Sequence, residues 1–294
     1  MGLAIVLVVL YHAYCIVRSS YYIFLLFTYG FIGVDIFLLL NALGCSYSFN
    51  KNGLWRFYMN RLKKVALLFV SFAVLRTLVQ QFVIGDECSL FDWFCNLTTL
   101  SYWQIGGQII EWYIAASVVL WISTPLLVRI VKRFGFAAVL ASIVLFAIIM
   151  KITITDQWYY ACFMGRIPIY ITGIYLYYND KINALWYLPI AVVLVLCKAN
   201  GYLIISMGCP LLVLVFLKIK DSWQLPTLDK ALSFMGKYTL EIYFANILAL
   251  DLFQELKKIY GWEVGYCLLG YIILNTLLAF FFVLINRLQR KVIG

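Results

Sequence analysis

Charge is what this 294-residue chain has least of. Asp, Glu, Lys and Arg together make up 12% of it, about half the share usual in a soluble domain. Histidine occurs once and proline five times. The eight cysteines include no CxxC pair, so the spacing of zinc and dithiol redox motifs is missing and no metal is indicated. No linker, low-complexity run or internal repeat interrupts the chain. These absences exclude a soluble enzyme, a disordered protein and a nucleic-acid reader.

In place of charge there is apolar and aromatic surface. The chain is 65% hydrophobic and 18% aromatic, with a mean hydropathy of +0.95. A bilayer-spanning helix takes about 20 apolar residues, so the length holds roughly eight to eleven of them and no separate soluble domain. The expectation is an all-α, polytopic integral membrane protein in which residues 1–294 form one transmembrane domain. Periodicity and polar breaks predict about ten transmembrane helices, over 2–17, 26–48, 65–84, 110–130, 136–154, 163–178, 184–198, 201–217, 233–253 and 264–286. Lys51–Lys64 and Gly85–Gly107 read as polar breaks. Gly2–Leu10 has neither a charged n-region nor a small-residue cleavage site, so the first helix is expected to be kept.

The formal charge of +10 sets the topology. With the N-terminus inside, sixteen of the 23 Lys and Arg fall on inner segments. Six fall on outer ones, namely Arg18, Lys151, Arg166, Lys198, Lys257 and Lys258, and Arg76 lies within a helix. Basic residues concentrate on cytoplasmic loops, which places both termini in the cytoplasm. The predicted outer segment 85–109 agrees, with Asp86, Glu87 and Asp92 and no Lys or Arg. Cys88 and Cys95 share that segment. They are either two free thiols or, in an oxidising compartment, a disulfide.

A charge at mid-bilayer costs about 2.5–3.5 kcal/mol on insertion scales, so it needs a partner or a task. His12 lies roughly 16 Å along the first helix. It is either hydrogen-bonded to a neighbouring helix or a general base, since imidazole takes up a proton near neutral pH. Asp35 precedes a long apolar run, and Asn41, Cys45 and Ser48 share one face of that helix. Together they form either a hydrogen-bond seam or an inward wall beside His12, with Asp35 orienting or pairing a cation. Arg76, with Gln80 one turn on, is the costliest charge. It either pairs with Asp35, Glu111 or Glu241 or contacts a ligand. Glu111 beside Trp112, Arg166, and Glu241 within Tyr238–Tyr243 are interfacial groups or substrate contacts. Arg56, Arg61, Lys63 and Lys64 serve the positive-inside signal, and Arg61 and Lys64 also share a helical face suited to phosphates.

These positions fall in a familiar order. Gly2 to Ala13, ending in Tyr11-His12-Ala13, resembles the opening helix of the acyltransferase 3 family of membrane acyltransferases. Gly30-Phe31-Ile32-Gly33-Val34-Asp35 with the apolar run to Leu40 resembles its second-helix signature. Phe57-Tyr58-Met59-Asn60-Arg61-Leu62-Lys63-Lys64-Val65 resembles the basic segment before its third helix. Glu111-Trp112-Tyr113, Gly165-Arg166-Ile167-Pro168 with Gly173, and Tyr238 to Tyr243 are similar to weaker, later features. The resemblance implies a ten-helix protein of the bacterial inner membrane. It would move an acyl group, usually acetyl, from acyl-CoA to a hydroxyl of a cell-envelope glycan such as O-antigen or exopolysaccharide. The family's catalytic histidine maps onto His12, and its RxxR motif onto Arg61 to Lys64. Lys64 keeps the charge there but lacks the planar fork of arginine. Three further departures are Met1 where the family has Arg or Lys, Asn41-Ala42 for Ser-Gly, and Asn246 for a late histidine.

The expected mechanism has His12 as general base on the sugar hydroxyl, or as acyl carrier, with Arg76 as oxyanion donor and Asp35 beside them. Arg61 and Lys64 would hold the phosphates of the co-substrate acyl-CoA. The expected partners are the bilayer, acyl-CoA and the glycan, with no nucleic acid and no metal. Two other readings stand beside this one. The first is a transporter or flippase using His12, Asp35 and Arg76 as a relay, although Pro125, Pro189 and Pro210 show none of the pairing expected of two matching halves. The second is a non-catalytic family member within an envelope assembly.

Overall fold

A computed structural model of the chain describes residues 1–17, 27–105, 112–153, 158–179, 186–223, 226–261 and 264–293. Among these every regular element is helical. In chain order they are α1 (Gly2–Val17), α2 (Ile32–Val79), α3 (Leu90–Thr98), α4 (Leu100–Ile105), α5 (Trp112–Phe134), α6 (Phe136–Thr153) and α7 (Trp158–Met164). They continue with α8 (Ile167–Tyr178), α9 (Tyr187–Leu196), α10 (Gly201–Trp223), α11 (Pro226–Lys237), α12 (Thr239–Tyr260) and α13 (Val264–Ile293). A 3₁₀ turn at Thr28–Phe31 leads into α2, and a π turn at Gln80–Ile84 follows it. Among the described residues four stretches are long and apolar enough to cross a membrane: Thr28–Ile84, Trp112–Phe134, Gly201–Lys220 and Tyr266–Gln289. Gly2–Ile16, Phe136–Ile152 and Tyr187–Leu196 are shorter apolar helices.

Four parts of the sequence reading need correction. Lys51–Lys64 is helical rather than a polar break. Gly53 alone departs, at φ 73° and ψ 179°, a conformation that only glycine adopts cheaply. Beyond it Leu54–Lys64 contains no breaker, and the helix resumes. The segment 85–109 holds two helices. Ser89 caps α3, its Oγ accepting from Asp92 N–H at 3.2 Å while its own N–H donates to Asp92 Oδ2 at 2.9 Å. The Ser89 hydroxyl also donates to Asp92 Oδ2 at 2.6 Å, and this bond, with that of the Ser89 N–H, holds the exposed Asp92 carboxyl below its usual 3.8. No disulfide joins Cys88 and Cys95. The helix predicted over 163–178 is broken at Gly165–Arg166, with Pro168 in the first turn of α8, where its missing N–H costs nothing. The helix predicted over 233–253 is two, α11 and α12.

The chain divides into two compact units. The first comprises Met1–Gly33, Arg61–Ser101 and Thr227–Gly294. Here α12 and α13 form a hairpin turned by Gly261 at φ 60°, and α1 packs on both. Ile5, Val8 and Ile16 are buried along one stripe of α1 at helical spacing. Gly30 and Gly33 admit the backbone of α1 closely, since a Cβ there would lie 2.3 Å from Leu7 O and 2.4 Å from Ala4 O. Phe72 stacks on Phe244 at 4.5 Å between centroids, with Phe282 beside both.

The second unit comprises Val34–Asn60 and Tyr102–Pro226. In it α8 packs on α5, α6 and α10, and α9 packs on α10. The start of α2 lies tightly on α8, with Gly173 facing Leu39 and Ala42 where a side chain would not fit.

Candidate active site

His12 continues the buried stripe of α1, four residues after Val8 and four before Ile16, so helical spacing aims its ring at α12. There its Nδ1 meets Asn246 Nδ2 at 2.6 Å. Asn246 is fully buried, and its Oδ1 accepts a hydrogen bond from the Tyr271 hydroxyl of α13. Tyr11 borders the imidazole at 5.5 Å. Lys257 of α12 donates to Ile16 O at 3.0 Å, closing one of the carbonyls left unpaired at the C-terminal end of α1. Three helices of the first unit therefore fix the ring.

The orientation of one amide decides what this ring can do. With Asn246 Nδ2 donating to Nδ1, the neutral imidazole carries its proton on Nε2 and presents a donor. Turned by half a rotation, Asn246 accepts from Nδ1–H through Oδ1, and Nε2 presents a lone pair. Tyr271 suits either orientation, because a phenol both donates and accepts. Asn246 thus selects between an electrophile and a base.

Arg76 of α2 donates from Nε to Asp251 Oδ2 at 2.8 Å, and both are buried. Of the three partners that the sequence offered for Arg76, Asp35 and Glu241 pair elsewhere, and Glu111 lies outside the described residues. Asn246 and Asp251 are five residues apart, about 7.5 Å along α12, so one short stretch of helix anchors both His12 and Arg76. Arg61 and Lys64 lie further back on the same α2 rod, half-buried and exposed respectively. At 100° per residue Arg61 and Arg76 stand about 60° apart around the helix, and Lys64 about 60° from Arg61 on the other side. Glu241, in the first turn of α12, is buried and accepts from Asn286 Nδ2 of α13.

The second unit holds a polar cluster of its own. Arg166 donates from Nε to Asp35 Oδ1 at 3.1 Å and from Nη1 to Cys162 O at 3.0 Å. Trp112 and Tyr202 each place a ring 5.0 Å from its guanidinium carbon, a cation–π arrangement. Ser206 also donates to Asp35 Oδ1, while Asp35 Oδ2 is buried with no hydrogen-bond partner among the described residues. Asp35 does pair a cation, as one of its sequence readings had it. The seam on the face of α2 is partly realised: Asn41 accepts from Cys45 and from Trp121 Nε1 at 3.3 Å. Glu111 lies outside the described residues.

Tyr271, Asp251 and Ser206 are the functional-site neighbours that sequence reasoning missed. Each sits in an apolar helix far along the chain from the group it serves. The one usable signal is that an uncancelled buried charge demands a counter-charge, and Asp251 is an acid inside an otherwise apolar stretch of α12. Asn246 was visible only as a departure from a family pattern.

The family model described as an acyltransferase domain matches residues 2–286. Comparisons with curated proteins and with solved structures gave no match. A match over nearly the whole chain, on a helical molecule with several spans' worth of apolar helix, makes this chain a member of the acyltransferase 3 family, of the general kind of a multi-pass membrane acyltransferase.

Proposed function

We propose that the protein transfers an acyl group, acetyl in the simplest case, from acyl-CoA to a hydroxyl of a cell-envelope glycan at the bacterial inner membrane. The observation that carries this reading is the held imidazole. His12 is the chain's one histidine, and a buried amide backed by a phenol fixes its Nδ1. That is how a base nitrogen on the other side of a ring is oriented. A sugar hydroxyl attacks a thioester slowly at neutral pH. With Asn246 turned so that its Oδ1 accepts from Nδ1–H, Nε2 takes the hydroxyl proton as the oxygen bonds to the carbonyl carbon, for a gain of roughly 10²–10⁴. The C–S bond then breaks, and the proton passes from the imidazolium to the departing thiolate.

Arg76 is assigned to the oxyanion formed at the carbonyl, because α12 anchors it within about 7.5 Å of the helix level of Asn246. Arg61 and Lys64 are assigned to the phosphates of the acyl donor. Around the helix Arg61 stands about 60° and Lys64 about 120° from Arg76, and they precede it by twelve to fifteen residues, roughly 18–22 Å of rise, which the flexible pantetheine arm of CoA can bridge.

The test is His12→Ala, with the glycan's acetyl content and CoA release by purified protein as readouts. The variant is expected to accumulate in membranes at the normal level and to transfer nothing measurable. Substantial transfer by a well-accumulated His12→Ala protein removes His12 as base and this reading with it.

A further inference from the structure

Helices α6 and α9 of the second unit stand on either side of a cavity of about 790 Å³, within the range of ligand-sized pockets. Each is packed elsewhere, α6 on α8 and α9 on α10. They start together, because the rings of Phe136 and Tyr187 at their first residues lie 6.3 Å apart. Both helices line the cavity along their length, so their C-terminal ends share its far end. Those ends carry Lys151 and Lys198, both exposed. The wall between is apolar, with Leu140, Val144, Ile148 and Val193 exposed toward it. Among the described residues no Asp or Glu lines the cavity.

Two details set this groove apart from ordinary bilayer-facing surface. Lys198 has φ 51°, a left-handed conformation that favours glycine and costs any other residue. The turn is closed by Lys198 N–H to Val195 O and Ala199 N–H to Leu194 O, each 2.9 Å. A lysine is thus kept where a glycine would be cheaper. Lys151 and Lys198 are also two of the six basic residues that the charge bias leaves on the less basic side, so the positive-inside pattern does not account for them.

We propose that this groove holds one anionic phospholipid of the surrounding bilayer, its tails along α6 and α9 and its phosphate between Lys151 and Lys198. Charge complementarity selects the occupant: an apolar slot that ends in two cations fits an amphiphile with an acidic head. The inference goes beyond acyl transfer and does not depend on it.

The experiment is stepwise lipid binding to the delipidated full-length protein, read by native mass spectrometry, with phosphatidylglycerol and phosphatidylcholine of identical tails. A lysine near a membrane surface favours an anionic lipid about fivefold, so the first phosphatidylglycerol is expected to bind about 25-fold more tightly than the first phosphatidylcholine. Lys151→Gln alone, which alters no backbone constraint, is expected to lower that preference about fivefold. Lys151→Gln with Lys198→Gly should bring it to within about twofold of unity, with a melting temperature no lower than wild type. Lys218→Gln with Lys230→Gln removes the same charge elsewhere and should leave the preference intact. The proposal is overturned by an equal affinity for both lipids, by an equal loss in the Lys218/Lys230 pair, or by displacement of the lipid with millimolar glycerol 3-phosphate.

Discussion

An imidazole that works as a base through one nitrogen needs a hydrogen-bond acceptor for the other, and Asn246 can supply one only through its oxygen. This makes Asn246 a positioning residue with a testable polarity. Asn246→Asp always offers an acceptor to Nδ1–H and keeps a second oxygen for the Tyr271 hydroxyl. It is expected to retain transfer, with its rate–pH profile displaced because a carboxylate now faces the ring. Asn246→Leu leaves Nδ1 without its partner, a loss of about 1–3 kcal/mol, and is expected to lower kcat about tenfold or more at unchanged acyl-CoA KM. An inactive Asp variant beside an active Leu variant would show that His12 works as a donor. At this scale the sequence displayed His12, Asp35 and Arg76 by their cost in an apolar chain. It hid Tyr271 and Ser206, because a hydroxyl in an apolar helix carries no such cost signature and finds its partner only when distant helices meet.

The helices that follow a plain apolar period, α1, α5, α6, α9, α10 and α13, were legible to within a few residues at their starts. The segments misread were those where charge and helix coincide. Lys51–Lys64 looks like a loop by hydropathy, yet it is helical on either side of Gly53, where a Cβ would touch nothing and only the dihedral angles forbid another residue. The misreading matters for function, because a helix, unlike a loop, holds Arg61 and Lys64 in fixed register with Arg76. Neutralising both in Arg61→Gln/Lys64→Gln is expected to raise the KM for acyl-CoA about ten- to a hundredfold, by removing two charge-assisted phosphate contacts, and to leave kcat near wild type. An unchanged KM in steady-state assays with acetyl-CoA would assign the pair to topology alone. The capping box at Ser89 and Asp92 was equally present in the sequence as Ser-x-x-Asp before an apolar run, and the acidity of the segment obscured it.

Among the described residues each of the two units buries one arginine–aspartate pair, and both pairs join α2 to a residue more than a hundred positions away: Asp35 with Arg166, and Arg76 with Asp251. Removing one member of such a pair leaves an uncompensated buried charge, at a cost of about 3–5 kcal/mol, whereas replacing both with apolar residues of similar volume is often neutral. A chain of marginal stability does not survive the first change but tolerates the second. Arg76→Leu is therefore expected to deplete the protein from membranes, and Arg76→Leu/Asp251→Leu to restore its accumulation. The double variant then separates fold from chemistry. With Arg76 as the oxyanion donor, the restored protein should transfer about 10²–10³-fold more slowly, measured as CoA release per mole of membrane protein. Recovery of transfer together with accumulation would reduce Arg76 to a structural partner of Asp251, and the oxyanion would then need a donor from elsewhere in the bundle.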